Sequence, residues 1–246
     1  MSFLAIIDID NVVIDTDRHK ADIFLKISKI VNQEISEIKR RYEEFRTKNG
    51  FINMSLFINT LSAGNEEIAN NIKESLKALN FQNYLRPGSL KLITSLQKQG
   101  EVIFYSEGAP ADQLRKLDET GILDLLKNKH VITFEDQNQN IRDYIEGGEK
   151  LPGIIIDPNK DSNISLFIDQ IRKDYDQIMY IDDKGSIVER LAEKECLTFP
   201  IFIDYGKYST FKPNNKKVRT FKTPLKLSKR LPIFFDPEIK NRQKRK

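Results

Sequence analysis

Asp8, Asp10, Ser106, Lys160, Asp182 and Asp183 have the types and settings for group-transfer chemistry. Asp8 and Asp10 close the apolar run FLAIIDID, Ser106 closes EVIFYS, and Asp182 and Asp183 close QIMYIDD. Lys160 stands in the loop after GIIID. In an open parallel sheet, ligands bind beyond the carboxyl ends of the strands, so residues at those ends are the first candidates for a site. One chemistry uses the whole set. A carboxylate attacks phosphorus and carries the phosphoryl group as an aspartyl-phosphate. A second carboxylate protonates the leaving group and then activates water. A hydroxyl and an ammonium hold the phosphoryl oxygens. A Mg²⁺ ion on carboxylates neutralises the transferred charge. In D-I-D the strand period of two puts Asp8 and Asp10 on one face, where without a cation they repel.

The elements that must position these residues are legible as periodicities. Phe3 to Ile9 is a nearly continuous apolar run, the pattern of a strand covered on both faces. From about Asp17 to Asn80 the spacing changes to three and four, in ADIFLKISKIVNQ, ISEIKRRYEEFRTK, MSLFINTLS and EEIANNIKESLKALN. These are amphipathic helices, interrupted at Gly50 and at SAGN. LRPG is a turn, after which strands and helices alternate. SLKLITSLQKQG, APADQLRKLDETG, DSNISLFIDQIRKDY and SIVERLAEKE read as helices, and EVIFYS, HVITF, GIIID, QIMYID and TFPIFI as strands. That alternation predicts a parallel sheet with helices on both faces. Glu135 to Pro152 is polar and reads as a loop with a short helix.

Composition narrows the setting. Of the 246 residues 39% are hydrophobic and 31% charged, which describes a water-soluble chain with a sizeable core. FLAIIDID is too short and too acidic at its end for a signal peptide, and no apolar stretch approaches a membrane span. The single cysteine, Cys196, excludes an internal disulfide and a cysteine-built zinc site, and the expected setting is cytoplasmic. The net charge of +4 conceals an asymmetry: Lys207 to Lys246 holds fourteen Lys or Arg and two acids, Asp236 and Glu238, leaving the remainder acidic. A run of this kind is a solvated tail or a surface for nucleic acid, an acidic partner or anionic lipid. Its LPIFFDP patch can also dock back on the body.

DIDNVVIDT, YSEG, Lys160 and YIDDKGS, in this order, resemble the four motifs of the haloacid dehalogenase-like (HAD) superfamily of phosphohydrolases. The resemblance covers about Phe3 to Tyr208, and a helical insert directly after the first motif is similar to the family's C1-type cap. It implies an α/β fold, a Rossmann-like parallel-sheet core formed by 1–15 and 85–206. It implies an α-helical cap at 16–84, and the charge count sets 207–246 apart as a basic C-terminal extension. It also implies roles: Asp8 as nucleophile, Asp10 as general acid/base, Ser106 and Lys160 as phosphate-binding groups. Asp182, helped by Asp183, would hold Mg²⁺ with Asp8 and the backbone carbonyl of Asp10. Lys150 is the alternative lysine, and Gln137 stands where some relatives have lysine.

The chain departs from the family at Asn11, where Gly is commoner, at Val12, where many phosphatases have Thr, and at Ser186, where some have Asn or Asp. Retention of Asp10 favours a phosphatase over a dehalogenase. The expectation is therefore a Mg²⁺-dependent phosphomonoesterase acting on a phosphorylated small molecule. A phosphomutase, or a degenerate binding module that uses the basic tail, are the alternatives. His19 and His130 read as structural or exposed, Asp15 and Thr16 as linker, and Arg46 and Lys48 as surface residues.

Overall fold

The computed structural model describes residues 2–49, 54–134, 151–194, 197–207 and 211–235. Gly50, Gln137, Lys150, Cys196, the expected loop over 135–150 and the residues after 235 lie outside that set. Seven strands form one sheet in the order β3-β4-β2-β1-β5-β6-β7. They are β1 (Phe3–Ile7), β2 (Glu101–Ser106), β3 (Val131–Thr133), β4 (Ile154–Ile156), β5 (Gln177–Asp182), β6 (Phe199–Ile203) and β7 (Arg219–Phe221). All neighbouring pairs are parallel.

β1 lies at the centre, and its alternation explains its unbroken apolar run. Phe3, Ala5, Ile7 and Ile9 enter one hydrophobic cluster, and Leu4 and Ile6 enter the other. On the first face lie α5 (Ser89–Gln97), α6 (Pro110–Glu119) and α7 (Ile122–Leu125). On the second lie α8 (Lys160–Ile171) and α9 (Gly185–Glu193), through Ile164, Phe167, Ile168, Ile187, Val188 and Leu191. A strand buried on both faces has no polar side to show, hence the absence of alternation in its sequence.

Between β1 and β2 the chain makes a helical excursion: α1 (Thr16–Val31), α2 (Ile35–Asn49), α3 (Met54–Leu61) and α4 (Glu66–Lys77), closed by a 3₁₀ turn at Phe81–Tyr84. Its interior is built by the three- and four-residue spacing seen in the sequence, with Ile23, Ile27, Ile38, Phe57, Leu61 and Ile72 buried. Where the excursion leaves and returns, the two passages pair. Ile14 bridges Leu85 antiparallel, the Asp15 amide donates to Tyr84 O (2.8 Å), and the Arg86 amide donates to Val13 O (2.9 Å).

The C-terminal segment is built into the body as far as Phe235. β7 extends the sheet beside β6, and α10 (Pro224–Phe235) packs on α5. Phe235 meets Phe3 edge-on at 4.9 Å between ring centroids, and Phe234 lies 5.3 Å from Phe199. Of the two sequence readings of this segment, docking through the LPIFFDP patch holds for Leu231–Phe235. No helix among the described residues is long and apolar enough to cross a membrane.

Leu227 is fully buried in α10 against the sheet. Leu227→Ala is expected to lower stability by about 2–5 kcal/mol, the usual cost of emptying a leucine site. A fall in the denaturant midpoint measures this, and a midpoint unchanged from the parent protein would place the segment outside the folded body.

Candidate active site

The register of β1 and β5 places the first two acids. Ile7 pairs with Ile181, and the Asp8 amide donates to Ile181 O (2.9 Å), so Asp8 and Asp182 follow side by side at the strand ends. Neighbouring strands are about 4.8 Å apart, and two carboxylates at that spacing repel strongly when buried. Asp183 joins them. One oxygen from each of Asp8, Asp182 and Asp183 falls within a sphere of mutual distances under 4.8 Å, and all three residues are buried. Three buried carboxylates with hard oxygen donors suit a divalent cation such as Mg²⁺.

Lys160 opposes this charge. Its ammonium lies 2.7 Å from Asp8 Oδ1 and 2.8 Å from Asp182 Oδ2, and its side chain is 1% exposed. The loop before it is held by Asp157, which is wholly buried. Asp157 accepts hydrogen bonds from Tyr105 OH (2.6 Å), the Asn159 amide (2.8 Å) and Asn163 Nδ2 (3.0 Å). Lys160 thus starts α8 on a turn whose shape a fixed carboxylate dictates.

The three acids differ electrostatically. Burial pushes the Asp8 carboxyl up to about 7, against the pull of Lys160. Burial and the charges of Asp182 and Asp8 push Asp183 up to about 9. Burial would raise Asp182 too, but Lys160, Tyr180 OH and the Lys184 amide (2.7 Å) hold it below the usual carboxylate range.

Asn11 makes the bend that frees Asp10 from the sheet. Its backbone is left-handed, with φ of 56°, a conformation that Asn tolerates better than most residues. Its Nδ2 donates to Asp183 (3.1 Å) and its Oδ1 accepts from the Asp17 amide (3.2 Å). Gly206 passes so close that a Cβ there would lie 2.6 Å from Asn11 Nδ2. A glycine here would supply the turn but neither hydrogen bond. Val12 is fully buried and takes no part in the polar site, and Ser186 is exposed at the start of α9.

Asp10 has partners that the sequence reading did not foresee. Its carboxylate receives Lys116 Nζ (2.6 Å), Gln113 Nε2 (3.0 Å) and Thr16 Oγ1. Burial would raise its pKa, but the Lys116 charge and these hydrogen bonds hold it well below the usual range. Thr16, read as linker, is therefore part of the site. Gln113 and Lys116 share a helix face with the buried Leu117 and Thr120, and polar residues on an apolar face were the available signal.

Asp8, Asp10, Ser106, Lys160 and Asp183 all line one cavity of about 730 Å³, roofed by helices of the insert, while Asp182 supports it from behind. Ser106 is 1% exposed, and its Oγ has no hydrogen-bond partner among the described residues. A buried orphan hydroxyl is costly unless a ligand satisfies it. Arg46 lines the cavity while pairing with Glu43 at 2.7 Å, whereas Lys48 is exposed. His19 is packed between Phe81 and Tyr84, with ring centroids 4.2 and 4.8 Å away, and His130 is exposed.

These charges set the pH response. Asp8 and Asp183 bind protons more tightly folded than unfolded, so the stability they lend is present below about pH 4 and is lost as pH rises through about 7 and 9. Asp10 and Asp182 shift the other way and are ionised in both states above pH 5 or so. Metal-free protein is thus expected to melt at progressively lower temperature from about pH 5 to 9, with Mg²⁺ restoring the loss. Asp183→Asn is expected to flatten the pH slope and abolish the Mg²⁺ effect. Thermal melts across this range, with Mg²⁺ and with chelator, check both statements.

No protein-family profile and no curated protein matches the sequence. Solved structures do. A haloacid dehalogenase-like hydrolase from Burkholderia xenovorans superimposes with a TM-score of 0.66 at 17% identity, over 95% of this chain and 98% of that one. A magnesium-bound HAD hydrolase from Bacillus subtilis gives 0.55 at 13% identity, over 94% and 99%. A 2-haloacid dehalogenase from Pseudomonas syringae gives 0.51 at 11% identity, over 99% and 100%. With the central parallel sheet, the acids at its carboxyl end and the helical insert between β1 and β2 where a C1 cap belongs, the chain has the fold of the haloacid dehalogenase-like hydrolases.

Proposed function

We propose that this chain is a Mg²⁺-dependent phosphomonoesterase working through a phosphorylated Asp8. The observation that carries the reading is the buried, unpartnered Ser106 hydroxyl on the same cavity as Asp8 and Lys160. It is a hydrogen-bonding group waiting beside a carboxylate and an ammonium, which suits a phosphoryl oxygen. The fold alone does not choose the reaction, because hydrolases and a haloacid dehalogenase share it. The second acid, Asp10, favours phosphoryl chemistry, in which a leaving alkoxide needs a proton. Asp8, Asp182, Asp183 and the Asp10 carbonyl would hold Mg²⁺, which supplies charge neutralisation at the phosphoryl oxygens. The Mg²⁺-bound neighbour supports that assignment.

In the proposed cycle Asp8 attacks phosphorus and the ester P–O bond breaks. Asp10 donates a proton to the departing oxygen. Asp10 then takes a proton from water, the water oxygen attacks phosphorus, and cleavage of the bond to Asp8 releases inorganic phosphate. Ser106 and Lys160 hold the phosphoryl oxygens in both halves. With Lys116, Gln113 and Thr16 around it, Asp10 is a carboxylate in this state, ready for the second half. The first half requires substrate to loosen the Lys116 pair so that Asp10 carries a proton. The insert roofs the cavity and limits access of water to the intermediate.

Phosphate release from a panel of phosphorylated metabolites and an aryl phosphate is expected with Mg²⁺ and not with chelator. Asp8→Asn should abolish it, Asp10→Asn should lower kcat by about 10²–10⁴-fold, and Ser106→Ala by about 10²–10³-fold. Full activity in Asp8→Asn would refute the covalent route. An isomerised ester in place of free phosphate would make the protein a mutase.

A further inference from the structure

Between Lys207 and Phe235 the chain carries nine Lys or Arg and no acid, and all nine are exposed. β7, α10 and the turn between them carry five of the nine. Lys226, Lys229 and Arg230 lie on the outer face of α10, opposite the buried Leu227, Leu231 and Phe234. Arg219 opens the edge strand β7 and Lys222 follows it, and Lys212 and Lys222 share Asp204. Lys207 reaches the active-site cavity. β7 is parallel to the rest of the sheet, so its carboxyl end lies at the same end of the molecule as that cavity.

Within this surface is a second hollow, about 190 Å³, lined by Arg219, Phe221, Arg230, Ile233 and Phe234. The Arg219 guanidinium lies 4.3 Å from the centroid of the Phe234 ring. A guanidinium over a ring, with a second arginine and apolar side chains lining the same hollow, offers both a stacking plane and donors for an anion. Unpaired nucleobases joined by phosphates present that combination, because their faces are exposed and their charges recur along the chain. A duplex hides its base faces. A lipid surface calls for apolar groups on the exposed side of α10, and its apolar side is spent on the core.

We propose that β7 and α10 form a binding surface for single-stranded nucleic acid, with the Arg219–Arg230 hollow receiving a base and the surrounding lysines the phosphates. The surface is distinct from the phosphoryl site and stands or falls independently of the phosphatase reading.

The test is fluorescence anisotropy of the full chain with short labelled single-stranded oligodeoxy- and oligoribonucleotides, over a range of salt. Binding should weaken linearly in log–log form, with a slope of about 0.7 per phosphate neutralised. The double variant Arg219→Ala/Arg230→Ala should weaken it by about tenfold or more, as loss of a stacking plane does. Arg219 also packs on Phe234, so Lys226→Glu/Lys229→Glu, which alters exposed charge alone, serves as the second variant and should reduce both affinity and slope. Lys39→Ala/Arg40→Ala, on the exposed face of the insert, should change nothing. Absence of binding at low salt, equal affinity for polyglutamate of the same charge, or affinity unchanged in both patch variants would overturn the proposal.

Discussion

The bridge from Lys160 to Asp8 and Asp182 is the contact on which the site depends. Strand register forces two carboxylates together at the centre of the sheet, and the chain adds Asp183 beside them. Without a cation such a cluster would drive the strand ends apart or stay protonated. The ammonium, aimed by the Asp157 turn, keeps Asp182 charged, while Asp8 and Asp183 remain raised. One amine thus balances one of the three acids, and the other two would exchange their protons for a divalent cation. Breaking a buried pair from one side commonly costs about 3–5 kcal/mol, so the same lysine serves stability as well as the site.

A second tie joins the site to the far end of the chain. Arg86 is buried and donates to the carbonyls of Asn11 and Lys222, while its guanidinium stacks 3.9 Å from the centroid of Tyr205. Tyr205 in turn donates to Asp15 (2.6 Å), and the Lys207 amide donates to Asp17 (2.7 Å). The bend carrying Asp10 is therefore held from the return passage of the insert, from the end of β6 and from β7. Its geometry belongs to the whole carboxyl edge of the sheet and not to the D-I-D motif alone.

Much of this was legible in the sequence, for physical reasons that differ from residue to residue. Asp8, Ser106 and Asp182 end unbroken apolar runs, and such runs announce buried strands in one dimension. The helices between Asp17 and Asn80 betray themselves by spacing. β7 is three residues with two exposed, RTF, and carries no such signal; pairing with β6 makes it a strand. Lys116 and Gln113 stand out as polar residues on an apolar helix face, but nothing local names their partner, because their meeting with Asp10 spans more than a hundred positions. Thr16 was near enough in sequence, but its contact depends on the left-handed turn at Asn11, which no periodicity records.

The paired passages at Ile14 and Leu85 have a mechanical meaning. Because the helical excursion leaves and re-enters through adjacent, hydrogen-bonded passages, it is closed on itself at its base. Whatever lies beyond that neck can lengthen, shorten or be exchanged without shifting the alignment of β1 against β2 and β5. The roof of the cavity and the carboxylates beneath it are thus carried on separately anchored parts of the chain. The neck is a joint: it ties the inserted helices to the sheet at one point of the chain's path.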